Sequence, residues 1–167
     1  MSANRREMRF VVQEHHARAL HYDFRLEMGG VLKSWAIPKG PSMNPVDKRL
    51  AVLVEDHPLD YFDYEGIIPE GEYGAGAVLI WDMGTYRLTE GKDPERAFEQ
   101  GKILMELDGK ILKGSFSLIQ MKGRGDDNWL LMKKKDLYGE IPWTIEKAMT
   151  DKRRKALREK LPNCKIE

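Results

Sequence analysis

Cysteine is almost missing from this 167-residue chain: the only one is Cys164, three residues from the end. One cysteine cannot close an internal disulfide, and in the tail it is badly placed to be a nucleophile. Long apolar runs are missing as well. Residues 1–9 are polar, so neither a signal peptide nor a membrane span is expected, and a soluble, intracellular (cytoplasmic) protein is the reading. Excess charge of one sign is also lacking: the net charge is +1, which argues against a protein that coats nucleic acid indiscriminately. The glycine-rich stretch 66–76 fits neither the dinucleotide fingerprint nor the P-loop, no helix pattern follows it, and turn chemistry is the simpler account. No internal repeat or low-complexity tract is visible. The length suits one domain, residues 1–167, with a core that needs no disulfide or structural metal.

What is present is unevenly distributed. Lys and Arg outnumber Asp and Glu by 9 to 5 in residues 1–50, are outnumbered 5 to 14 in residues 51–110, and lead again by 14 to 8 in residues 111–167. A local surface for polyanions is therefore allowed, although charge runs usually just solvate a face. All four histidines, at positions 15, 16, 21 and 57, fall in the first 57 residues.

The stretch 20–27, LHYDFRLE, organises the rest. With a period of two, Leu20, Tyr22, Phe24 and Leu26 point to one side of a strand and His21, Asp23, Arg25 and Glu27 to the other. An ordinary half-buried strand shows solvating Lys, Thr or Ser on its wet side. This one shows residues suited to metal ligation and phosphate binding, about 7 Å apart by strand rise. Residues 10–15 alternate in the same way and bring Gln13 and His15 to one face, while residues 53–57 end an apolar run with His57. A lone histidine is more often structural than a ligand, but an Asp and an Arg in phase with His21 favour the functional reading. His16 falls out of phase and is read as a surface residue.

Gly29-Gly30 is a hairpin turn, with residues 31–37 as the return strand. Residues 50–54, 77–81, 85–89, 103–107, 110–112, 114–121 and 129–134 read as further short strands, Asp108-Gly109 being a two-residue hairpin signal. Asp93 as cap, Pro94 at the first position and Gly101 at the exit delimit one short helix. From Thr144 the period becomes helical: Ile145, Ala148, Met149, Ala156, Leu157 and Leu161 recur across residues 144–161, with Lys152, Arg153, Arg154, Lys155 and Arg158 between them. That helix is expected to dock one face and solvate the other. The fold class is all-β with minor α, an antiparallel barrel of about eight strands.

These motifs carry a resemblance. FVVQEH at 10–15, LHYDFRLE at 20–27, LKSWAIPKGP at 32–41, VEDHPLDY at 54–61 and EGEYGAG at 70–76 together resemble the 3′-phosphoesterase module of bacterial DNA ligase D and its free-standing relatives. The match runs from about residue 9 to about residue 136. It implies a barrel with an active-site groove on its outer surface, a divalent cation (preferably manganese), and removal of a 3′-terminal ribonucleoside to leave a 3′-phosphate, which is then hydrolysed to a 3′-hydroxyl. Carried over by motif position, His15, His21 and Asp23 would hold the metal. Arg25, His57 and Tyr61 would contact the phosphate, with Gln13, Lys39 and Arg49 in support. DNA ends, including those with a 3′-terminal ribonucleotide, would be the substrates, and a separate DNA ligase and polymerase would be the partners in end joining. Family members often carry a longer arm before the first strand, so weaker removal of the ribonucleoside is expected here.

The donor types agree with that inference. Two imidazoles and one carboxylate leave coordination positions open and suit manganese, zinc, cobalt or iron comparably. No activated Ser or Cys is evident, which favours direct attack by water. Two other readings remain. A non-catalytic nucleic-acid-binding barrel would use exposed aromatics such as Tyr61 or Tyr73. A cupin-type small-molecule enzyme would share the barrel and the histidine ligands.

Overall fold

The computed structural model describes residues 7–72 and 75–164, the last six in backbone only; Tyr73 and the side chain of Leu161 lie outside the described residues. Nine antiparallel strands form one sheet: β1 (Met8–His16), β2 (Leu20–Met28), β3 (Val31–Ile37), β4 (Lys48–Pro58), β5 (Gly66–Ile68), β6 (Gly76–Leu88), β7 (Lys102–Asp108), β8 (Lys113–Gln120) and β9 (Asn128–Lys133). Running β1-β2-β3-β4-β9-β8-β7-β6, the order closes because β6 also pairs with β1. Eight strands therefore make the expected barrel. β5 is a short ninth, laid along residues 76–78 of β6, ahead of the segment 85–88 that pairs with β7.

The alternation of residues 20–28 decides which face is which. Tyr22, Phe24, Leu26 and Met28 are buried in the central cluster with Phe10, Val12, Trp35, Phe116, Trp129 and Leu131. Each strand thus turns one row of side chains into the barrel and the other row outward. α1 (Pro94–Gln100) forms as its signals predict, with Asp93 accepting from the Glu95 amide and Gly101 left-handed at φ 75°. Its Phe98 stacks on Trp129 at 5.6 Å and stands edge-on to Trp35 at 6.0 Å.

Two local expectations change. Residues 110–112 do not form a strand: β7 ends at Asp108, β8 begins at Lys113, and the amides of Lys110, Ile111 and Leu112 all donate to the buried Asp82 carboxylate. A carboxylate facing three amides holds a wider loop than the two-residue turn that Asp108-Gly109 suggests. The C-terminal helix, α2 (Asp151–Cys164), starts seven residues later than the period implies. Ile145 and Ala148 do pack on the core, but from an irregular segment. The amides of Ala148 and Met149 donate to Glu14, and the carbonyl of Glu146 accepts from Trp81 Nε1, so tertiary partners claim groups a helix would pair internally. Thr150 Oγ1 then accepts from the Arg153 amide and caps the helix start.

Candidate metal centre and phosphate site

On the outer face of β1 and β2 the antiparallel register sets His15 opposite His21 and Gln13 opposite Asp23. The rings of His15 and His21 lie 4.7 Å apart. Asp23 sits between them, Oδ2 at 3.4 Å from His15 Nδ1 and Oδ1 at 3.2 Å from His21 Nε2. One donor atom from each residue falls within 4.8 Å of the others. Adjacent ligands bonded to one ion at about 2.1 Å stand roughly 3.0–3.4 Å apart, so both Asp23–imidazole distances are compatible with a shared divalent cation.

This outer face is not the wet face that simple alternation suggests. Asp23 and Arg25 are buried, at 7% and 3% exposure. Val11 and Leu32 are fully buried too, outside the central cluster, so the wall is covered on both sides here. Burial pushes the Asp23 carboxyl up, but hydrogen bonds from His15 and His21 and the charge of Arg25 outweigh it and hold the group below the ordinary carboxylate range. His21 moves the other way, raised chiefly by its bond to Asp23 against the effect of burial.

Arg25 is nearly saturated. Nε donates to Gln13 Oε1 at 2.6 Å, Nη1 to Ser34 Oγ at 2.8 Å and to His57 Nδ1 at 3.1 Å, and Nη2 is 3.4 Å from Asp23 Oδ2. Of the five guanidinium hydrogens, one on Nη2 is left uncommitted among the described residues. Gln13 in turn donates through Nε2 to the carbonyls of Tyr61 and Tyr64, tying the turn after β4 to the strand floor. Tyr61 lies under this network, 5.0 Å from the guanidinium, 4.8 Å from the His57 ring and stacked on Tyr64 at 4.7 Å. Burial raises the Tyr61 hydroxyl above its ordinary pKa, so it stays protonated and can donate.

His57 reaches the site through an irregularity. In the β3–β4 pairing Ser34 faces Val54 but Leu32 faces His57, so β4 carries one extra residue. Without it, a period of two from Val54 would send Asp56 outward and His57 inward; the bulge re-aims the imidazole. Arg25 can only donate, so Nδ1 of His57 holds a lone pair and Nε2 carries the hydrogen. Burial and then the Arg25 charge lower the His57 pKa, which keeps this neutral form at neutral pH.

The structure brings together His15, His21, Asp23, Arg25, His57, Tyr61 and Gln13. Among the described residues, Lys39 and Arg49 make no hydrogen bond or ion pair with these seven. Lys39 is exposed in the loop after β3, and Arg49 pairs with Asp47 at 3.5 Å on the side of β4 shared with the core residue Ala51. His16, expected on the surface, instead lies 2.6 Å from the buried Glu14 with its side chain 18% exposed. Ser34 was not singled out in the sequence, although the two-glycine turn fixes the hairpin register that sets it opposite Arg25. Tyr64 was missed as well, and its signal is weaker, since it acts through a carbonyl and a ring stack.

A profile of the DNA ligase D 3′-phosphoesterase domain matches residues 13–120. The multifunctional non-homologous end joining protein LigD of Pseudomonas aeruginosa is 54% identical over 130 residues, covering 77% of this chain and 15% of that protein. Its counterpart in Mycolicibacterium smegmatis is 47% identical over 138 residues, covering 80% and 18%. The LigD of Mycobacterium tuberculosis, described as a multifunctional non-homologous end joining DNA repair protein, is 48% identical over 127 residues, covering 76% and 16%. The chain thus spans less than a fifth of the length of these relatives. All seven assembled site residues lie within the matched region, and the chain belongs to the DNA ligase D 3′-phosphoesterase domain family.

Proposed function

We propose that this chain is a metal-dependent phosphoesterase that heals DNA 3′ ends, removing a terminal ribonucleoside to leave a 3′-phosphate and hydrolysing the phosphate to a 3′-hydroxyl. The observation that carries the reading is the junction, across the paired strands β1 and β2, of three candidate ligand donors, 3.2–3.4 Å apart along Asp23, with a buried guanidinium beside them. A non-catalytic barrel has no use for a nearly dehydrated Arg–Asp–His–His constellation, whose burial costs free energy.

His15, His21 and Asp23 would hold the divalent cation, manganese by family, with zinc, cobalt or iron also matched to the donors. Such an ion supplies Lewis acidity at a phosphate oxygen. Arg25 presents its remaining Nη2 hydrogen to a non-bridging oxygen, and its four anchored contacts keep that donor aimed without reorganisation. Tyr61 O–H and His57 Nε2–H are the further donors around the phosphate. His57, kept neutral by burial and then by Arg25, acts chiefly as a hydrogen-bond donor. Ser34, the hydroxyl touching Arg25, is fully buried with its proton on the Leu32 carbonyl, so it is no nucleophile and water attacks directly. Lys39 and Arg49 are proposed as supporting contacts to the phosphate. A ligase and a polymerase, which consume a 3′-hydroxyl, are the proposed partners.

The test uses two DNA duplexes, one ending in a 3′-phosphate and one in a single 3′ ribonucleotide. Each is incubated with protein as purified, with chelator, and with manganese restored. Phosphate release that chelator abolishes and manganese restores is expected; tight DNA binding with no turnover under any metal would establish the binding barrel instead.

A further inference from the structure

The active-site constellation explains the strand floor but not the cations of α2. From Lys152 to Arg158 the chain has five basic residues and no carboxylate. Leu157 is buried against the body at 5% exposure, whereas Lys152, Lys155 and Arg158 are exposed. Successive members of that trio are three residues apart, so they line one stripe about 9 Å long, with Lys155 roughly opposite Leu157 around the helix. Carboxylates flank the run at Asp151 and Glu159, one turn either side of Lys155, but none stands between its members, so the stripe keeps a net positive charge.

The position of the stripe is more telling than its charge. α2 packs on β5. Val78 of β6 is the register neighbour of both Gly66 in β5 and His15 in β1, so β5 lies two strand spacings, about 10 Å, from the backbone of His15. The start of the helix is tied more directly. Arg153 Nη2 is 2.5 Å from Glu65 Oε2, which also accepts from the Ile80 amide, and Ile80 is in register with Gln13, the residue that holds Arg25. Arg153 serves as the tether, which leaves the stripe to meet something else. Each DNA strand carries one charge per about 3.4 Å of duplex axis, so a stripe roughly 10–20 Å from the reacting phosphate meets backbone about three to six phosphates upstream.

We propose that Lys152, Lys155 and Arg158 form a docking surface for the sugar–phosphate backbone upstream of the 3′ end, setting affinity for the duplex without taking part in the chemistry. The proposal rests on the 3′-end-healing reading for its substrate, but it concerns a surface outside the site.

The experiment measures binding of a 3′-phosphorylated duplex by fluorescence anisotropy from about 50 to about 200 mM salt, with single-turnover hydrolysis alongside. The variant Lys152→Gln/Lys155→Gln/Arg158→Gln should weaken binding at least tenfold at the lower salt and flatten the log–log salt slope by about 2–3, near 0.9 per lost contact. Turnover of a 3′-phosphorylated dinucleotide, too short to reach the helix, should be unchanged. Lys152→Arg/Lys155→Arg should keep the parent slope, which separates loss of charge from damage to the helix. Unchanged affinity and slope in the neutralised variant would overturn the docking surface while leaving the phosphoesterase reading intact. A flattened slope in a protein that hydrolyses neither substrate would uphold the surface and overturn the phosphoesterase.

Discussion

Arg25 Nη1 lies 3.1 Å from Nδ1 of His57, and this contact couples the protonation of one strand to the charge of another. Nδ1 also approaches the Glu55 carbonyl at 3.3 Å, but it cannot donate there while accepting from a guanidinium. The ring therefore keeps one N–H, on Nε2. Protonating Nδ1 would set two cations against each other in a half-buried place.

That coupling gives a pH prediction. The His57 pKa is lowered in the folded state, so as pH falls the unfolded chain takes up its proton first. The stabilisation is fully present above the unfolded value of about 6.5 and is lost as pH drops through 6.5 toward the folded value. His57→Gln should accordingly narrow the difference in Tm between about pH 8 and about pH 5.5 relative to the parent. His21, raised by Asp23, titrates with the opposite sign but is common to both proteins and cancels in the comparison. Parallel melting curves across that range in the two proteins would show that burial and Arg25 do not hold His57 neutral.

Arg25→Lys should rescue Arg25→Ala poorly. Lysine keeps a positive charge, yet one ammonium on a flexible stem cannot meet Gln13, Ser34, His57 and Asp23 together and still point a donor at the phosphate. Turnover at saturating manganese should fall about 10²–10³-fold, comparable to losing one oxyanion donor. Because Nη2 also touches the carboxylate of Asp23, a proposed ligand, metal affinity should weaken by about tenfold, the cost of losing a group that orients a ligand. Near-parental turnover in the lysine variant, measured by phosphate release, would reduce Arg25 to bulk charge.

The barrel and the face that gathers His15, His21 and Asp23 were legible in sequence because both rest on a period of two. Phe24 and Asp23 are adjacent, and alternation alone sends one to the core and the other outward. What alternation could not show was that the outward side is also covered, since the turn over it binds through the carbonyls of Tyr61 and Tyr64, which no side-chain pattern records. The place of His57 depends on a bulge, an insertion that breaks the period being read. Ile145 and Ala148 have helical spacing in an irregular segment because Glu14, more than 130 residues earlier, takes the amides of Ala148 and Met149.

Ser34→Ala should separate positioning from binding. The hydroxyl accepts from Arg25 Nη1 and donates to the Leu32 carbonyl, and the residue is fully buried. Its loss leaves a charged donor one acceptor short, at a cost of about 1–3 kcal/mol in stability. Metal content should stay at the parental level while kcat falls more than KM rises, because the misplaced group is the proposed transition-state donor. Ser34→Thr, which restores the hydroxyl on an outward strand position, should recover most of kcat; if it does not, packing rather than the hydrogen bond is what Ser34 supplies.

Asp23 and Phe24 offer a test of the two faces by neighbouring substitutions. Phe24→Ala removes a fully buried ring from the barrel interior and should cost about 3–5 kcal/mol, with metal binding retained. Asp23→Asn keeps size and shape but deprives the buried Arg25 of its carboxylate, so the metal-free protein should also lose stability, up to about 3–5 kcal/mol. Stability alone thus cannot tell the two variants apart, and the discriminating measurement is the response to metal. An ion that binds only the folded state adds about 2.7 kcal/mol at 100 times its Kd. Manganese should raise the Tm of the parent and of Phe24→Ala by equivalent free energies and leave Asp23→Asn unmoved. A manganese shift that survives in Asp23→Asn would remove the carboxylate from the ligand set and leave His15 and His21 as the anchors of the site.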